Sequence, residues 1–212
     1  MKIYVIRHGE TNANRDGLLQ GRIDKPLNED GEKLAIITGE KMSSIKFDAC
    51  FSSSLKRAKR TAELILENSG NKDVDIQIDD RLIEIDMGID EGKKFRKGER
   101  EAPVYRLFLF KYLPFLLGHF PKGESIREVC KRTQEFLLEL KDKNYENVLI
   151  STHGCAMRAM LNRFYKFKFF FWQGIVPYNC AVNIIEVNNG KMELVEKDKV
   201  YYDPSLCVDR YK

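Results

Sequence analysis

Two short apolar runs, far apart in the chain, end the same way. Ile3-Tyr4-Val5-Ile6 opens onto Arg7-His8-Gly9, and Val148-Leu149-Ile150-Ser151-Thr152 opens onto His153-Gly154. Runs this short and this rich in β-branched residues read as strands buried on both faces. Such strands need helices above and below them, and the chain supplies helical patterns in between. Asn28-Glu29-Asp30-Gly31 offers a cap and early negative charge, with Ala35, Gly39, Met42 and Ile45 in line behind it. Phe47 to Ser52 predicts a further strand. The helix after it has the stripe Ala58, Ala62, Ile65 and Leu66, with the serines at 52–54 as its caps. Val74 to Ile78 predicts a third strand. Ser125 and Glu128 form a capping box for a helix over 124–142, whose apolar face is assigned to core packing alone. Cys180–Val187 and Met192–Val195 predict a hairpin around Asn188-Asn189-Gly190, and the polar stretch from Asn12 to Asp30 reads as a loop. The expectation is an α/β fold with a mainly parallel sheet, as a single domain over residues 1–212.

Open α/β sheets hold their ligands outside the carboxyl ends of the strands. His8 and His153 both stand there. Arg7 adjoins the first, and helical spacing places Arg57 in the first turn of its helix, near the same sheet edge. Gly9 lets the backbone approach a bound group or turn sharply. Taken alone, a histidine at a strand end also reads as a structural or capping residue. Two histidines and two arginines at one edge, however, suit phosphoryl transfer, which needs an in-line nucleophile and fixed positive charge around the equatorial oxygens. The cationic neighbours favour neutral His8, with a lone pair for attack. The leaving oxygen needs a proton. Arg81 to Gly92 offers Glu84, Asp86 and Glu91, and residue type alone does not choose among them.

Composition narrows the partners. A net charge of +4 over 212 residues suits a small anionic substrate and gives no case for nucleic acid. The five cysteines form no C-x-x-C pair, which predicts free thiols in a reducing, cytoplasmic setting. The three histidines are dispersed, so no zinc site is expected. No apolar run reaches the length of a membrane span.

The motifs together resemble the histidine phosphatase superfamily, also called phosphoglycerate mutase-like. The segments that carry the resemblance are Ile6–Asn14 with Gln20–Gly31, Ser52–Ala62 around Arg57, Leu82-x-Glu84 with Gly88 and Glu91-Gly92, Gly123-Glu124-Ser125, and Ser151–Gly154. Asp90 departs from the pattern, standing where an aromatic is common. The resemblance implies a three-layer α/β/α sandwich. It implies His8 as the phosphorylated nucleophile and Glu84 as the proton donor. Arg7, Arg57 and His153, with Gly154, would hold the phosphoryl group. Asn14, Gln20 and Gly21 match positions that reach phosphate or substrate oxygens, although Asn14 and Gln20 also read as ordinary loop residues. The backbone N–H of Cys155, at a helix start, is expected to assist the phosphate. The implied activity is hydrolysis of a small phosphorylated metabolite without metal or cofactor. A mutase, commonly a longer chain, and a non-catalytic phospholigand-binding domain are the alternatives.

Residues 104–120 and 164–173 are the aromatic outliers. The first falls in a cap-like segment at about 93–122. A helix this apolar all round is expected to be covered by the domain, by a second subunit as in a homodimer, or by a membrane surface. As a lid it would exclude water and select an apolar or aromatic leaving portion, with Arg106, Lys111 or His119 meeting a second anionic group.

Overall fold

A computed structural model describes residues 1–95, 98–117, 119–168, 171–173 and 176–206. Cys207, Gly118, Phe169 and Phe170, which figure in the expectations above, lie outside these described residues.

The first apolar run is strand β1 (Lys2–Arg7), and its twin is β4 (Asn147–Thr152). They are parallel neighbours at the centre of a six-stranded sheet of order β3-β2-β4-β1-β5-β6, where β2 is Ala49–Ser52, β3 Ile76–Ile78, β5 Val182–Asn188 and β6 Lys191–Lys199. Ile6 pairs with Ser151 and Arg7 with Thr152, so the two strands end level and His8 and His153 leave the sheet side by side. β2 runs parallel to β4 and β3 to β2, whereas β5 and β6 are antiparallel. The sheet is therefore mixed and mostly parallel. Asn189 (φ +51°) and Gly190 (φ +74°) make the predicted tight turn between β5 and β6.

Strand alternation divides the core. Ile3, Val5, Val148 and Ile150 pack with Phe136 and Leu137 of helix α6 (Ile126–Leu140) and Met157 and Met160 of α7 (Gly154–Leu161). Tyr4, Ile6 and Leu149 face the other way. They meet Met42, which follows α2 (Glu29–Lys41), and Ala62 and Ile65 of α3 (Lys56–Asn68). Burial of β1 and β4 on both faces accounts for their unbroken apolar runs.

Asn12–Arg15 is not loop but a one-turn helix, α1, because Thr11 and Asn14 cap it reciprocally. The serines do not cap α3. Its N-cap is Leu55, whose side chain bonds nothing, and Ser52 and Ser53 turn to other partners. Asn28 caps α2, and Ser125 with Glu128 forms the capping box of α6, as predicted. Pro114 divides the apolar stretch into α4 (Val104–Tyr112) and α5 (Pro114–Leu117), since the residue before a proline is disfavoured in the helical region. α4 covers only part of itself. Phe110 is buried with Phe120 and Trp172, while Val104, Tyr105, Phe108 and Tyr112 are exposed, so the expected cover is not supplied by this chain's described residues.

Candidate active site

β1 and β4 deliver the two histidines, and the first turn of α3 delivers Arg57 against the second. The imidazole rings of His8 and His153 lie 5.1 Å apart between centroids. Arg57 donates from Nε to His153 Nδ1 at 3.1 Å, and from Nη1 and Nη2 to the carbonyls of Ile23 and Gly21, each at 2.7 Å. Arg7 reaches the carbonyl of Pro177. Arg57 and His153 are fully buried, and His8 is 3% exposed. The surface depression of about 270 Å³ lined by Lys46, Phe47, Asn71 and Val74 lies elsewhere and carries none of these groups.

The hydrogen bonds fix both tautomers. His8 Nδ1 lies 2.6 Å from the Gly9 carbonyl, which can only accept. Nδ1 therefore carries the ring proton and Nε2 the lone pair. A guanidinium can only donate, so His153 Nδ1 accepts from Arg57, and its Nε2–H points to Ser53 Oγ at 2.8 Å. Both rings are held neutral, with pKa values well below the ordinary 6.5. Burial is the main cause for each. For His8 the charges of Arg57 and Arg7 add to it. Burial likewise brings Arg57 down to about 10.

Glu84 stands at the start of α7. Its Oε1 accepts from the N–H groups of Ile85 and Ala156 at 2.9 Å each, and its Oε2 from Cys155 N–H at 3.1 Å. The Cys155 N–H is thus occupied by Glu84 in this structure and does not point at a phosphate. The other two acids of the segment have different work. Asp86 accepts from Gly88 N–H at 2.7 Å. Glu91 accepts from Arg22 N–H at 2.7 Å and Met87 N–H at 3.1 Å, locking the loop that carries Gly21 to the acid segment. A methyl group on Gly21 would fall 2.0 Å from the Glu91 carboxylate, and φ there is +49°. The positive φ favours glycine here, and any larger residue would also have to displace the Glu91 carboxylate.

Gly9 serves a purpose other than the expected one. A Cβ there would meet the Gly31 carbonyl oxygen at 2.5 Å, so the glycine admits the start of α2 rather than a ligand. Its N–H donates to Thr61 Oγ1, and Thr61 donates to the Arg57 carbonyl. Asn14 is buried beside this loop, and its Oδ1 takes the Thr11 N–H at 3.2 Å, closing the α1 cap. Thr11 Oγ1 lies 3.0 Å from Gln20 Oε1, so Asn14 and Gln20 are joined through one threonine. Thr11, Ser53, Thr61 and Asn179, which donates to the His8 carbonyl at 3.0 Å, were missed from the sequence. Ser53 and Asn179 are ordinary polar residues whose partners lie far along the chain, whereas Thr11 meets Asn14 and Gln20 nearby and Thr61 sits one helical turn after Arg57.

The departure at Asp90 is also explained. Its side chain is 1% exposed, 2.6 Å from Arg106 Nε and 2.8 Å from Lys93 Nζ. It ties α4 to the acid segment by charge. Arg106 is consequently engaged within the protein rather than offered to a second anionic group of a substrate, and Lys111 lies over the ring of Tyr112.

Residues 3–199 match the model of the histidine phosphatase superfamily (branch 1). The chain belongs to this superfamily. A Salmonella arizonae protein named "Probable phosphoglycerate mutase GpmB" is 31% identical over 189 residues, covering 88% of this chain and 85% of that protein. The solved structure of Bacillus stearothermophilus YhfR superposes with a TM-score of 0.84 at 29% identity, covering 94% of this chain and 97% of that one. The alpha-ribazole phosphatase from Shigella flexneri shares the fold, with a TM-score of 0.79 at 24% identity over 94% of this chain and 96% of that one. Members of the superfamily are phosphatases and mutases, so this chain is an enzyme of that class. Among its described residues no helix is long and apolar enough to cross a membrane, and the four described cysteines are free.

Proposed function

We propose that this superfamily member is a phosphomonoester hydrolase that works through a phosphohistidine and needs no metal. The observation that carries the reading is the His8 tautomer. Its Nδ1–H is fixed on the Gly9 carbonyl and its Nε2 lone pair is left for the phosphorus. Arg7 and Arg57 supply positive charge for the equatorial oxygens, and His153 and Gly154 complete the anion site. Asn14, Gln20 and Gly21 line its approach.

In the first step His8 Nε2 bonds to phosphorus as the ester P–O bond breaks, and Glu84 gives its proton to the departing oxygen. In the second, Glu84 takes a proton from water, whose oxygen attacks phosphorus. The P–N bond breaks and inorganic phosphate leaves. The substrate is a small phosphorylated metabolite, and the setting is the cytoplasm.

Turnover of p-nitrophenyl phosphate with release of one phosphate per phenolate tests the reading. Tight phosphate binding without turnover would instead make the chain a binding domain. The mutase name of the Salmonella relative supports a second reading, phosphoryl return to another oxygen of the same substrate. Isomerisation of 3-phosphoglycerate at a rate above its hydrolysis would favour that one.

A further inference from the structure

Core packing alone does not account for α6, because two of its polar residues reach the acid segment: Glu139 pairs with Arg81 at 2.8 Å, and Arg132 goes further. Arg132 uses every N–H it has on that segment and its anchor. Nη1 donates to the carbonyls of Arg81 at 2.8 Å and Ile83 at 2.6 Å. Nη2 donates to the Glu84 carbonyl at 3.2 Å and to Glu124 Oε2 at 3.0 Å, and Nε donates to Glu124 Oε1 at 3.0 Å. Glu124 closes the clamp, because its Oε2 also accepts the Asp86 N–H at 3.1 Å and pairs with Arg22 at 3.0 Å. Residues 81, 83, 84 and 86 are thus held by one ion pair between α6 and the turn before it.

A single cation satisfying three main-chain carbonyls in four residues is costly architecture for a loop with no task. A buried carbonyl left without a donor costs about as much as a lost hydrogen bond, so the segment is strongly over-determined. With the Glu84 carbonyl fixed on Arg132, the Glu84 side chain is left on the α7 side, where the N–H groups of Cys155 and Ala156 receive it. We infer that Arg132, with Glu124, is a positioning residue that sets where the Glu84 carboxyl meets the leaving oxygen. This rests on the reading of Glu84 as proton donor. Only an arginine fits the place. A lysine carries the same charge but has three donors at one point and no planar fork.

The test compares Arg132→Lys and Glu84→Gln, singly and together, on an alkyl phosphate and an aryl phosphate of low leaving-group pKa. General acid catalysis contributes about 100- to 10,000-fold, and a misplacement near 1 Å forfeits about 100-fold. Arg132→Lys is expected to lower kcat on the alkyl substrate roughly 10- to 100-fold and on the aryl substrate less than about 3-fold. In the Glu84→Gln background it should add almost nothing, since no proton remains to be misplaced. Glu124→Gln weakens the same clamp while leaving Arg132 in place, and should likewise lower kcat more on the alkyl than on the aryl substrate. Equal losses on both substrates in Arg132→Lys and Glu124→Gln, or an undiminished loss in the Glu84→Gln background, would overturn the inference alone. Equal losses in Glu84→Gln itself would overturn the donor assignment, and the clamp's role with it.

Discussion

Replacing Arg57 by leucine removes a buried cation and keeps most of its volume. Burial disfavours that cation. Burial brings its pKa from 12.5 to about 10, equivalent to about 3 kcal/mol at 1.36 kcal/mol per tenfold change. The charge of Glu84, and less so of Asp24 and Glu91, offsets only part of the cost of burial. Arg57→Leu relieves that cost but leaves Gly21 O, Ile23 O and His153 Nδ1 without their donor, at about 1–3 kcal/mol each. The variant is therefore less stable than wild type by something on the order of 0–6 kcal/mol. The decisive quantity is the response to phosphate, which does not depend on that balance. At 100 times its Kd, phosphate bound only to the folded state adds about 2.7 kcal/mol, which for a domain of this size raises Tm by roughly 5–10 °C. Thermal unfolding with and without inorganic phosphate should show that rise in wild type and almost none in Arg57→Leu. An equal rise in both would mean that the anion is held elsewhere, and the reading of the buried arginine as half of an anion site would be wrong.

Three further outcomes follow from the geometry. Because His8 and His153 are held neutral well below pH 6.5, the unfolded chain binds more protons than the folded one as pH falls from about 6.5 towards those lowered values. Stability measured by urea unfolding should decline over that window, and the double variant His8→Gln/His153→Gln should flatten the decline. Phe110 is buried against Phe120 and Trp172, whereas Phe108 is 53% exposed. Phe110→Ala should cost about 3–5 kcal/mol in denaturant unfolding, and Phe108→Ser no more than about 0.5. Exhaustive chelation should leave phosphatase turnover intact, and a loss restored by one divalent ion would replace the proposed mechanism with a metal-assisted one.

What could be read from the sequence was local. The unbroken runs in β1 and β4 come from burial on both faces, and that burial is a property of each run by itself. The capping box at Ser125 and Glu128 and the Asn189-Gly190 turn are also short-range devices, and they formed as expected. What escaped was decided by partners distant in the chain. Gly9 is glycine because the Gly31 carbonyl comes within 2.5 Å of where a Cβ would stand, and nothing near residue 9 announces that. Ser53 is drawn from its expected cap by His153, one hundred positions away. The Cys155 N–H meets Glu84 instead of a phosphate. Arg132 sits on a helix whose apolar stripe accounts for its buried face and says nothing of what its polar residues reach.

The central claim concerns one atom, the Nε2 of His8. Wild-type protein should be quenched during turnover of a slow phosphomonoester, digested under alkaline conditions that spare phosphoramidates, and mapped by mass spectrometry. The account predicts a single acid-labile phosphate on the peptide that contains His8, and none in His8→Ala. Phosphate on His153, or full turnover by His8→Ala, would contradict it.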